Sequence, residues 1–238
     1  LVALIAKYHF APTIEAKRNL MVENINESDI FVTGNTVIDA LHITLNMIES
    51  DNELVEQFQT KYPMVDTNKK IVLITGHRRE NFGSGFENIC LAIKQLSVGN
   101  PEVDFIYPVH LNPKVREPVG KLLSNHENIH LIDPLGYVEF VYLMSKSHLI
   151  LTDSGGIQEE APALGKPVLV MRNTTERPEA VEAGTVKLVG TSQEQIIQSV
   201  ELLLNDPYEY QSMSAAHNPY GDGEATGRII SVLLEGTM

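Results

Sequence analysis

The most constraining feature of this sequence is the alternation of strand-like and helix-like segments between residues 70 and 189. Six short runs rich in Val, Ile and Leu are each followed by a stretch with the apolar spacing of a helix. Strands and helices that alternate in this way form parallel sheets with helices on both faces. The sequence therefore predicts an α/β fold with a doubly wound parallel sheet, whose strands lie in KIVLITG, VDFIYPVH, NIHLIDP, HLILTD, PVLVM and TVKLVG.

The first 35 residues contain only two strand-like runs, YHFAPT and DIFVTG, with one helix-patterned stretch between them. This is too little to close a hydrophobic core, so we expect the end of a preceding domain, with a boundary near Asn35. The helix is predicted to begin after Thr13 as its N-cap. Its one apolar face is expected to consist of Ile14, Leu20 and Met21.

Composition narrows the possible function classes. A net charge of −13 argues against a surface for nucleic acid or an anionic membrane, because both attract clustered Lys and Arg. The single cysteine, Cys90, excludes an intrachain disulfide and favours a reducing, cytoplasmic location. No apolar run approaches the roughly 18 residues of a membrane span. The chain begins at Leu1 without a signal peptide, and we interpret it as the interior of a longer protein.

Ligands of open parallel sheets bind at the carboxyl ends of the strands, so the polar residues of those loops are the candidate site. The first loop, TGHRRENFG, holds His77, Arg78 and Arg79 in one turn. Two arginines beside a histidine suit a phosphate or carboxylate, and His77 can donate to a diphosphate or move a proton. The alternative is a charged surface turn in which Glu80 pairs with an arginine.

Two further loops follow the next two strands. In YPVHLNP, His110 lies at a strand end, although a histidine there is also compatible with an ordinary loop contact. In IDPLGYVEF, Gly136 permits a tight turn whose backbone can contact the edge of a flat base, and Phe140 can pack on that base. The alternative is that Tyr137 and Phe140 belong to the buried face of the helix.

Ser154-Gly155-Gly156 lies between a strand and a helix-like stretch. Glycines let the backbone approach a diphosphate closely, and a helix N-terminus presents free N–H groups. Glu160, one turn later, is placed to accept hydrogen bonds from the hydroxyls of a ribose. The alternatives are a plain helix cap for the Ser-Gly-Gly segment and a solvent-facing position for Glu160.

The last loop, MRNTTERPEAVEAG, contains Arg172, Glu176 and Arg177. Arg177 can reach a phosphate or sugar, but a salt-bridge cluster at the start of the helix is an equal alternative. The sequence shows neither a Walker A loop nor a G-x-G-x-x-G fingerprint. Its histidines are scattered, so we predict no metal site.

These loops, taken in order, resemble the non-hydrolysing UDP-N-acetylglucosamine 2-epimerases over essentially the whole chain. The motifs that carry the resemblance are TGHRREN, YPVHLNP, TDSGGIQEEAPALGKPVLVMR, TTERPEAVEAGT and NPYGDGEAT. Members have two Rossmann-like domains around a cleft, an architecture shared with GT-B glycosyltransferases. The resemblance implies that residues 1–35 end a truncated N-terminal domain. Residues 36–238 then form the C-terminal, UDP-binding domain, whose final helix returns to the first.

The resemblance also implies an activity. Family members interconvert UDP-GlcNAc and UDP-ManNAc, a precursor of surface polysaccharides, and need no cofactor. UDP is eliminated to give 2-acetamidoglucal, and it re-adds after a proton returns to the opposite face of C2. Full-length members are expected to be homodimers.

The same resemblance assigns roles to individual residues. His77 contacts the diphosphate and is the one catalytic residue retained in this chain. Arg78 and His110 match contacts of a second UDP-GlcNAc that activates several bacterial members. The remaining UDP contacts are implied for Leu135 and Phe140 at the uracil, Glu160 at the ribose, and Ser154, Gly155, Gly156 and Arg177 at the diphosphate.

One departure from the family limits this expectation. The family's catalytic carboxylates lie in the first domain, in H-V-E-A-G-like and P-E-E-x-N-R-like stretches that this sequence lacks. We therefore expect that the polypeptide by itself does not turn over substrate. A UDP- or UDP-sugar-binding module without catalysis, and a domain related to GT-B glycosyltransferases or hydrolysing epimerases, remain the alternatives.

Overall fold

The computed structural model of the protein describes residues 2–65 and 68–235. Near the N-terminus, a pair of short strands runs in parallel, with His9 opposite Ile30. One helix precedes this pair, and a second helix connects the two strands. The elements are α1 (Val2–Ile5), β1 (His9–Ala11), α2 (Ile14–Val22) and β2 (Ile30–Val32).

The start of α2 was predicted correctly, and its apolar face is exposed. The Thr13 hydroxyl accepts a hydrogen bond from the Ala16 amide at 3.0 Å, which is the expected N-cap contact. The predicted apolar face is not covered by other residues, because no residue of α2 is buried, and Ile14 and Met21 are 63% and 42% exposed. A sheet of two three-residue strands offers too little surface to cover a helix.

The rest of the described chain alternates as predicted, after two consecutive helices. The elements are α3 (Thr36–Ser50), α4 (Asn52–Lys61), β3 (Lys70–Thr75), α5 (Ser84–Gly99), β4 (Val103–Pro108), α6 (Pro113–Leu123), β5 (Ile129–Ile132), α7 (Tyr137–Lys146), β6 (Leu149–Thr152), α8 (Ile157–Glu160), β7 (Val168–Val170), α9 (Pro178–Glu182), β8 (Val186–Leu188), α10 (Gln193–Asn205), α11 (Pro207–Ser214) and α12 (Ala225–Glu235). The final helix was predicted to extend to Gly236, which lies outside the described residues.

Two prolines change the predicted helices. Pro162 cannot donate a backbone hydrogen bond, and α8 gives way after a single turn to a 3-10 helix at Ala161–Leu164. The pattern of SQEQIIQSVELLLND predicts a helix that Pro207 only closes. Pro207 instead occupies the first turn of α11, where a proline is tolerated, and Asp206 caps that helix by accepting from the Tyr208 amide at 2.8 Å.

All six strands of the main sheet are parallel, in the order β5-β4-β3-β6-β7-β8. From β3 the chain winds outward through β4 and β5, and it then returns to the other side of β3 with β6. This order confirms the doubly wound prediction. It places the topological switch point between β3 and β6, where such sheets bind ligands.

The core lies on both faces of this sheet, because successive strand residues point to opposite sides. Val72 and Ile74 of β3 pack with α5, α6 and α10, whereas Ile71 and Leu73 pack with α3 and α7. Full burial of one such side chain contributes about 1.5–3 kcal/mol. The strand ends at the switch point are therefore anchored by a core on each side.

The last helix folds back onto the start of the chain. The buried carboxylate of Asp39 in α3 accepts hydrogen bonds from the Thr226 and Ala225 amides at 2.7 and 3.2 Å, and it thereby caps α12. Arg228 donates to the Thr33 carbonyl at 3.1 Å.

The division into two domains near residue 35 stays a prediction. No helix within residues 2–65 and 68–235 is long and apolar enough to cross a membrane.

Candidate active site

A cavity of about 450 Å³ opens at the switch point, at the carboxyl ends of the central strands. Loops that follow β3, β4, β5 and β6 each contribute to its wall. Four strand-end segments far apart in sequence therefore meet around one space. The lining residues are Thr75, Gly76, His77, Pro108, His110, Pro134, Leu135, Tyr137, Phe140, Ser154, Gly156, Ile157 and Glu160.

A buried carboxylate fixes the loop that follows β3. Asp153 is fully buried at the end of β6, and its Oδ2 accepts from the backbone amides of His77 and Arg78 at 2.8 and 2.7 Å. On the other side of the loop, the Tyr107 hydroxyl donates to the Gly76 carbonyl at 2.9 Å. These bonds cross between neighbouring strands, so they hold His77 at the mouth of the cavity.

His77 and His110 lie side by side in the wall of the cavity. Their rings are nearly parallel, with centroids 5.1 Å apart and an interplanar angle of 10°. The Asn112 amide donates to Nδ1 of His110 at 3.0 Å, so that nitrogen carries no proton. The structure thus brings together two histidines that the sequence places on separate loops.

The Ser154-Gly155-Gly156 segment presents backbone rather than side chains to the cavity. A Cβ on Gly155 would lie 3.7 Å from Nη2 of Arg78, and a Cβ on Gly156 would lie 3.9 Å from Oε2 of Glu160, both ordinary contacts. Neither glycine has a positive φ. The protein itself therefore does not require glycine here, and the missing side chains leave room for a ligand. The helix that follows has only one α-helical turn, so individual N–H groups matter more than a helix dipole.

Glu160 is buried at the back of the cavity, where Tyr137 is its hydrogen-bond donor. The Tyr137 hydroxyl donates to Oε1 of Glu160 at 2.6 Å, and Glu160 is 8% exposed. Burial raises the pKa of Glu160, while the hydrogen bond from Tyr137 opposes that rise. Burial also raises the pKa of Tyr137, and the bond to Glu160 adds to this effect. The tyrosine therefore remains a donor, and the second carboxylate oxygen remains available to a ligand hydroxyl.

Leu135 and Phe140 form the apolar portion of the wall. Leu135 lies in the segment that joins β5 to α7, and Phe140 lies in the first turn of α7. Both also pack against the core face that contains Val141 and Tyr142. Phe140 is half-buried. One part of its side chain packs on the core and another part lines the cavity. A flat apolar group fits beside these side chains.

Three arginines lie near the site but outside the cavity lining. Nη2 of Arg78 lies beside Gly155, next to the open backbone. Arg177 donates through Nε to Glu159 and through Nη1 to the Glu176 carbonyl at 3.0 Å. Arg172 is buried in the predicted salt-bridge cluster.

That cluster is centred on Arg172, which binds both oxygens of Glu176 at 2.7 and 2.9 Å and also pairs with Glu80. The paired guanidinium lowers the pKa of Glu176 to about 2. Glu80 thus pairs with an arginine, as the alternative for its loop expected, but the partner is the buried Arg172 of another loop, and His77 of the same turn still lines the cavity. Arg172 has a structural role and is not directed at the cavity.

A larger groove of about 650 Å³ lies between α5 and α6, and it contains Phe82, Lys114 and Lys121. It lies on the side of a helix layer, away from the switch point. We assign the site to the smaller cavity, because four loops that follow strands meet there and provide both polar groups and an apolar wall.

Eight of the ten residues expected to form the site are present at one location. Seven line the cavity directly, and Gly155 lies between two that do. Arg78 borders the site, and Arg177 faces Glu159 instead. Sequence reasoning missed Asp153 and Tyr137 as polar partners of His77 and Glu160. A carboxylate directly after a strand was visible in the sequence, but its partner lies 76 residues earlier.

The fold and the cavity define a Rossmann-like α/β domain of the GT-B type, with its ligand cleft at the switch point. The sequence matches the model of the family described as UDP-N-acetylglucosamine 2-epimerase over residues 1–234. The chain belongs to this family.

Several relatives support this assignment. The UDP-N-acetylglucosamine 2-epimerase of Escherichia coli (strain K12) is 56% identical over 229 residues, which cover 96% of this chain and 61% of that protein. A probable UDP-N-acetylglucosamine 2-epimerase of Ralstonia nicotianae is 59% identical over 225 residues, covering 94% of this chain and 60% of that protein. The chain thus spans about 60% of the length of the curated relatives that it matches.

Solved structures agree with the sequence match. The crystal structure of UDP-GlcNAc 2-epimerase from Neisseria meningitidis bound to UDP-GlcNAc superimposes with a TM-score of 0.93 at 52% identity, covering 98% of this chain and 62% of that one. The wall teichoic acid polymerase TagF, at 16% identity and a TM-score of 0.61, shares the fold alone.

Proposed function

We propose that this chain carries the UDP-binding half of a UDP-N-acetylglucosamine 2-epimerase, which interconverts UDP-GlcNAc and UDP-ManNAc by eliminating and re-adding UDP. The observation that supports this most directly is the cavity at the switch point. It combines an apolar wall, a buried carboxylate, an open Ser-Gly-Gly backbone and two histidines. These are the chemical groups that a base, a ribose and a diphosphate need.

The proposed pose follows the order of those groups across the cavity. Uracil lies against Leu135 and Phe140, and the ribose hydroxyls donate to Glu160. The diphosphate lies over Ser154, Gly155 and Gly156, with His77 at its side. Donors placed at the leaving oxygens stabilise the charge that develops as the C1–O bond breaks.

The role proposed for Arg177 requires a local rearrangement. Its Nε is paired with Glu159, so the guanidinium must turn away from that carboxylate before it can contact a diphosphate. The role of Arg78 and His110 in an activator site also remains a proposal. His110 lines the same cavity as the other residues, and Arg78 borders Gly155.

Calorimetric titration of the chain with UDP tests the proposal. We expect saturable binding that Glu160→Ala weakens at least tenfold, or about 1.4 kcal/mol, because the ribose loses its acceptor. Glu201→Ala, at an exposed position of α10, is the matched control and should leave the affinity unchanged. Equal affinities for wild type and Glu160→Ala would refute the role at the ribose.

For the protein as a whole we propose a cytoplasmic homodimeric isomerase. The net charge of −13 and the single cysteine support the location. An assay that follows conversion of UDP-GlcNAc to UDP-ManNAc separates the epimerase from a module that only binds. The polypeptide of 238 residues is predicted to bind UDP without turnover, and turnover by it would overturn that prediction.

A further inference from the structure

Asp153 is a buried carboxylate with one oxygen that lacks a hydrogen-bond donor. The residue is fully buried, and Oδ2 is satisfied by the His77 and Arg78 amides. Oδ1 has no hydrogen-bond partner among the described protein atoms. A buried carboxylate oxygen left in this way costs free energy, and such oxygens are uncommon in native proteins. The loop-holding role of Oδ2 therefore does not account for the whole side chain.

The group that faces the unpaired oxygen is the ring of His77. Nδ1 of His77 lies 3.7 Å from Oδ1 of Asp153. This is just beyond hydrogen-bond distance, and hydrogen bonds of this kind are often long in a free protein and shorten when ligand binds. The backbone of His77 is already tied to the other oxygen of the same carboxylate, so a small ring movement completes the contact.

The surroundings argue against a purely electrostatic role for Asp153. A carboxylate beneath a diphosphate site repels the ligand unless another group mediates between them. The titratable and charged groups nearest His77 are Asp153, the stacked His110, Arg78 next in the chain, and Tyr107, which bonds the Gly76 carbonyl. Tyr137 and Glu160, bonded to each other, line the same cavity. Among them only Asp153 offers an acceptor to Nδ1 at short range.

We propose that Asp153 is a positioning residue for His77. It accepts a hydrogen bond from Nδ1–H, fixes the ring and the tautomer, and turns Nε2 toward the cavity. When UDP binds, Nε2 of His77 takes up a proton from solvent and keeps it. The resulting Nε2–H donates a hydrogen bond to a diphosphate oxygen, and Asp153 stabilises the imidazolium. The diphosphate contact in this inference rests on the proposed function. The tautomer of His77 in the free protein does not.

The ring nitrogens of ¹⁵N-labelled protein report the tautomer directly, and His77→Gln identifies the resonances of His77. At alkaline pH we expect His77 of the free protein with its proton on Nδ1. His110 is an internal reference with the opposite tautomer, because its Nδ1 accepts from Asn112. A free protein in which neutral His77 carries its proton on Nε2 would overturn the proposal, whatever any variant does.

Asp153→Asn reverses the expectation while keeping the acceptor for the loop. The amide oxygen can accept from the two backbone amides, and the amide NH₂ then faces Nδ1 as a donor. We expect His77 to switch to the tautomer with the proton on Nε2, with no change at His110. An unchanged His77 tautomer in a folded variant would show that Asp153 only holds the loop.

Titration with UDP separates this inference from the proposed function. In wild type we expect UDP to convert His77 to the imidazolium, with both ring nitrogens protonated. In Asp153→Asn the conversion should be lost, because the ring already donates from Nε2. Binding of UDP without protonation of wild-type His77 would refute the inference alone. Absence of UDP binding would refute the proposed function, while the tautomer result would still decide the role of Asp153.

Discussion

Gly156 separates ligand binding from folding. Its φ and ψ of −63° and −39° are helical values that alanine adopts freely, and a Cβ there meets only Oε2 of Glu160 at 3.9 Å. Gly156→Ala should leave the urea midpoint unchanged or slightly raised, because alanine favours the helical conformation. We expect UDP affinity to fall at least tenfold, because the methyl group occupies the space over the open backbone.

A matched glycine provides the control for this substitution. Gly99, at the end of α5, also has open space around a Cβ and no positive φ. Gly99→Ala should leave UDP affinity unchanged and, like Gly156→Ala, leave the urea midpoint unchanged or slightly raised, as measured by calorimetry and urea unfolding. If Gly156→Ala binds UDP as wild type does, the diphosphate does not lie over this segment.

Glu160 is predicted to cost stability in the free protein. Burial raises the pKa of Glu160 in the folded state above its value in the unfolded chain. The folded protein therefore loses stability as pH rises from the unfolded pKa through the folded pKa. Glu160→Gln should therefore raise the Tm of the protein at pH 7, because the amide does not carry the buried charge. The gain should vanish below the unfolded pKa, near pH 4.

Thermal unfolding at pH 7.5 and pH 4 measures this effect, with Glu201→Gln as the exposed control. The same Glu160→Gln variant should bind UDP more weakly, because an amide oxygen is a poorer acceptor for ribose hydroxyls than a carboxylate. A variant that is less stable than wild type at pH 7.5 would mean that Glu160 has a stabilising partner beyond Tyr137.

At the scale of elements, α11 is joined to the amino end of β6 by a stacked pair. The rings of His148 and Tyr210 are 4.1 Å apart and almost parallel, and Nε2 of His148 contacts the Leu203 carbonyl at 3.3 Å. Burial lowers the pKa of His148, and the nearby Lys70 and Lys166 lower it further. The folded state therefore resists protonation of this ring.

A histidine whose folded pKa is depressed contributes stability that is lost as pH falls below about 6.5, its unfolded value. Urea midpoints at pH 7.5 and 5.5 should differ more in wild type than in His148→Phe, which keeps the ring stack but cannot titrate. His217→Gln, at an exposed position, should behave as wild type. An equal pH dependence in wild type and His148→Phe would contradict the prediction.

The local sequence pattern was enough to predict most helices and strands, but it did not predict where prolines interrupt the helices. The six strands of the sheet are short apolar runs, and their parallel order follows from the helices between them. The early end of α8 and the start of α11 depend on where Pro162 and Pro207 fall within a turn, which spacing of apolar residues does not reveal. The exposure of α2 could not be predicted, because periodicity shows an apolar face without showing what covers it.

The candidate site was predictable where it depends on one loop and not where it depends on two. His77 and Ser154 follow the ends of β3 and β6, and Glu160 lies in the short helix after β6, so the switch-point rule locates them. The bond from Asp153 to the His77 loop exists only because β3 and β6 are neighbours, a fact of topology rather than of sequence distance. The orientation of Arg177 toward Glu159 is likewise set by packing between α8 and the loop before α9.

At the scale of the whole molecule, Glu159 connects three distant segments of the chain. Its carboxylate, which is nearly buried, accepts from Asn35 at 2.8 Å and pairs with Arg177, while its backbone carbonyl accepts from Asn218 at 3.0 Å. The first 35 residues, the main sheet and the returning C-terminal segment thus meet at one residue.

Glu159→Ala should reduce the free energy of unfolding by about 2 kcal/mol, because it leaves Asn35 and Arg177 without their acceptor. We place the value below that of a fully buried pair, since the Arg177 side chain is 34% exposed. Glu56→Ala, at an exposed position of α4, should change stability by less than about 0.5 kcal/mol. Urea unfolding measures both variants.

Hydrogen exchange then locates the effect of Glu159→Ala. Because Glu159 joins the first 35 residues to the sheet domain, amides in β1 and β2 should exchange faster in the variant, while those in β3 and β4 should keep their protection relative to global unfolding. A uniform loss of protection across all strands would show that Glu159 stabilises the sheet domain itself. In that case the N-terminal segment would be held by its other contacts, such as the hydrogen bond from Thr13 to Glu179.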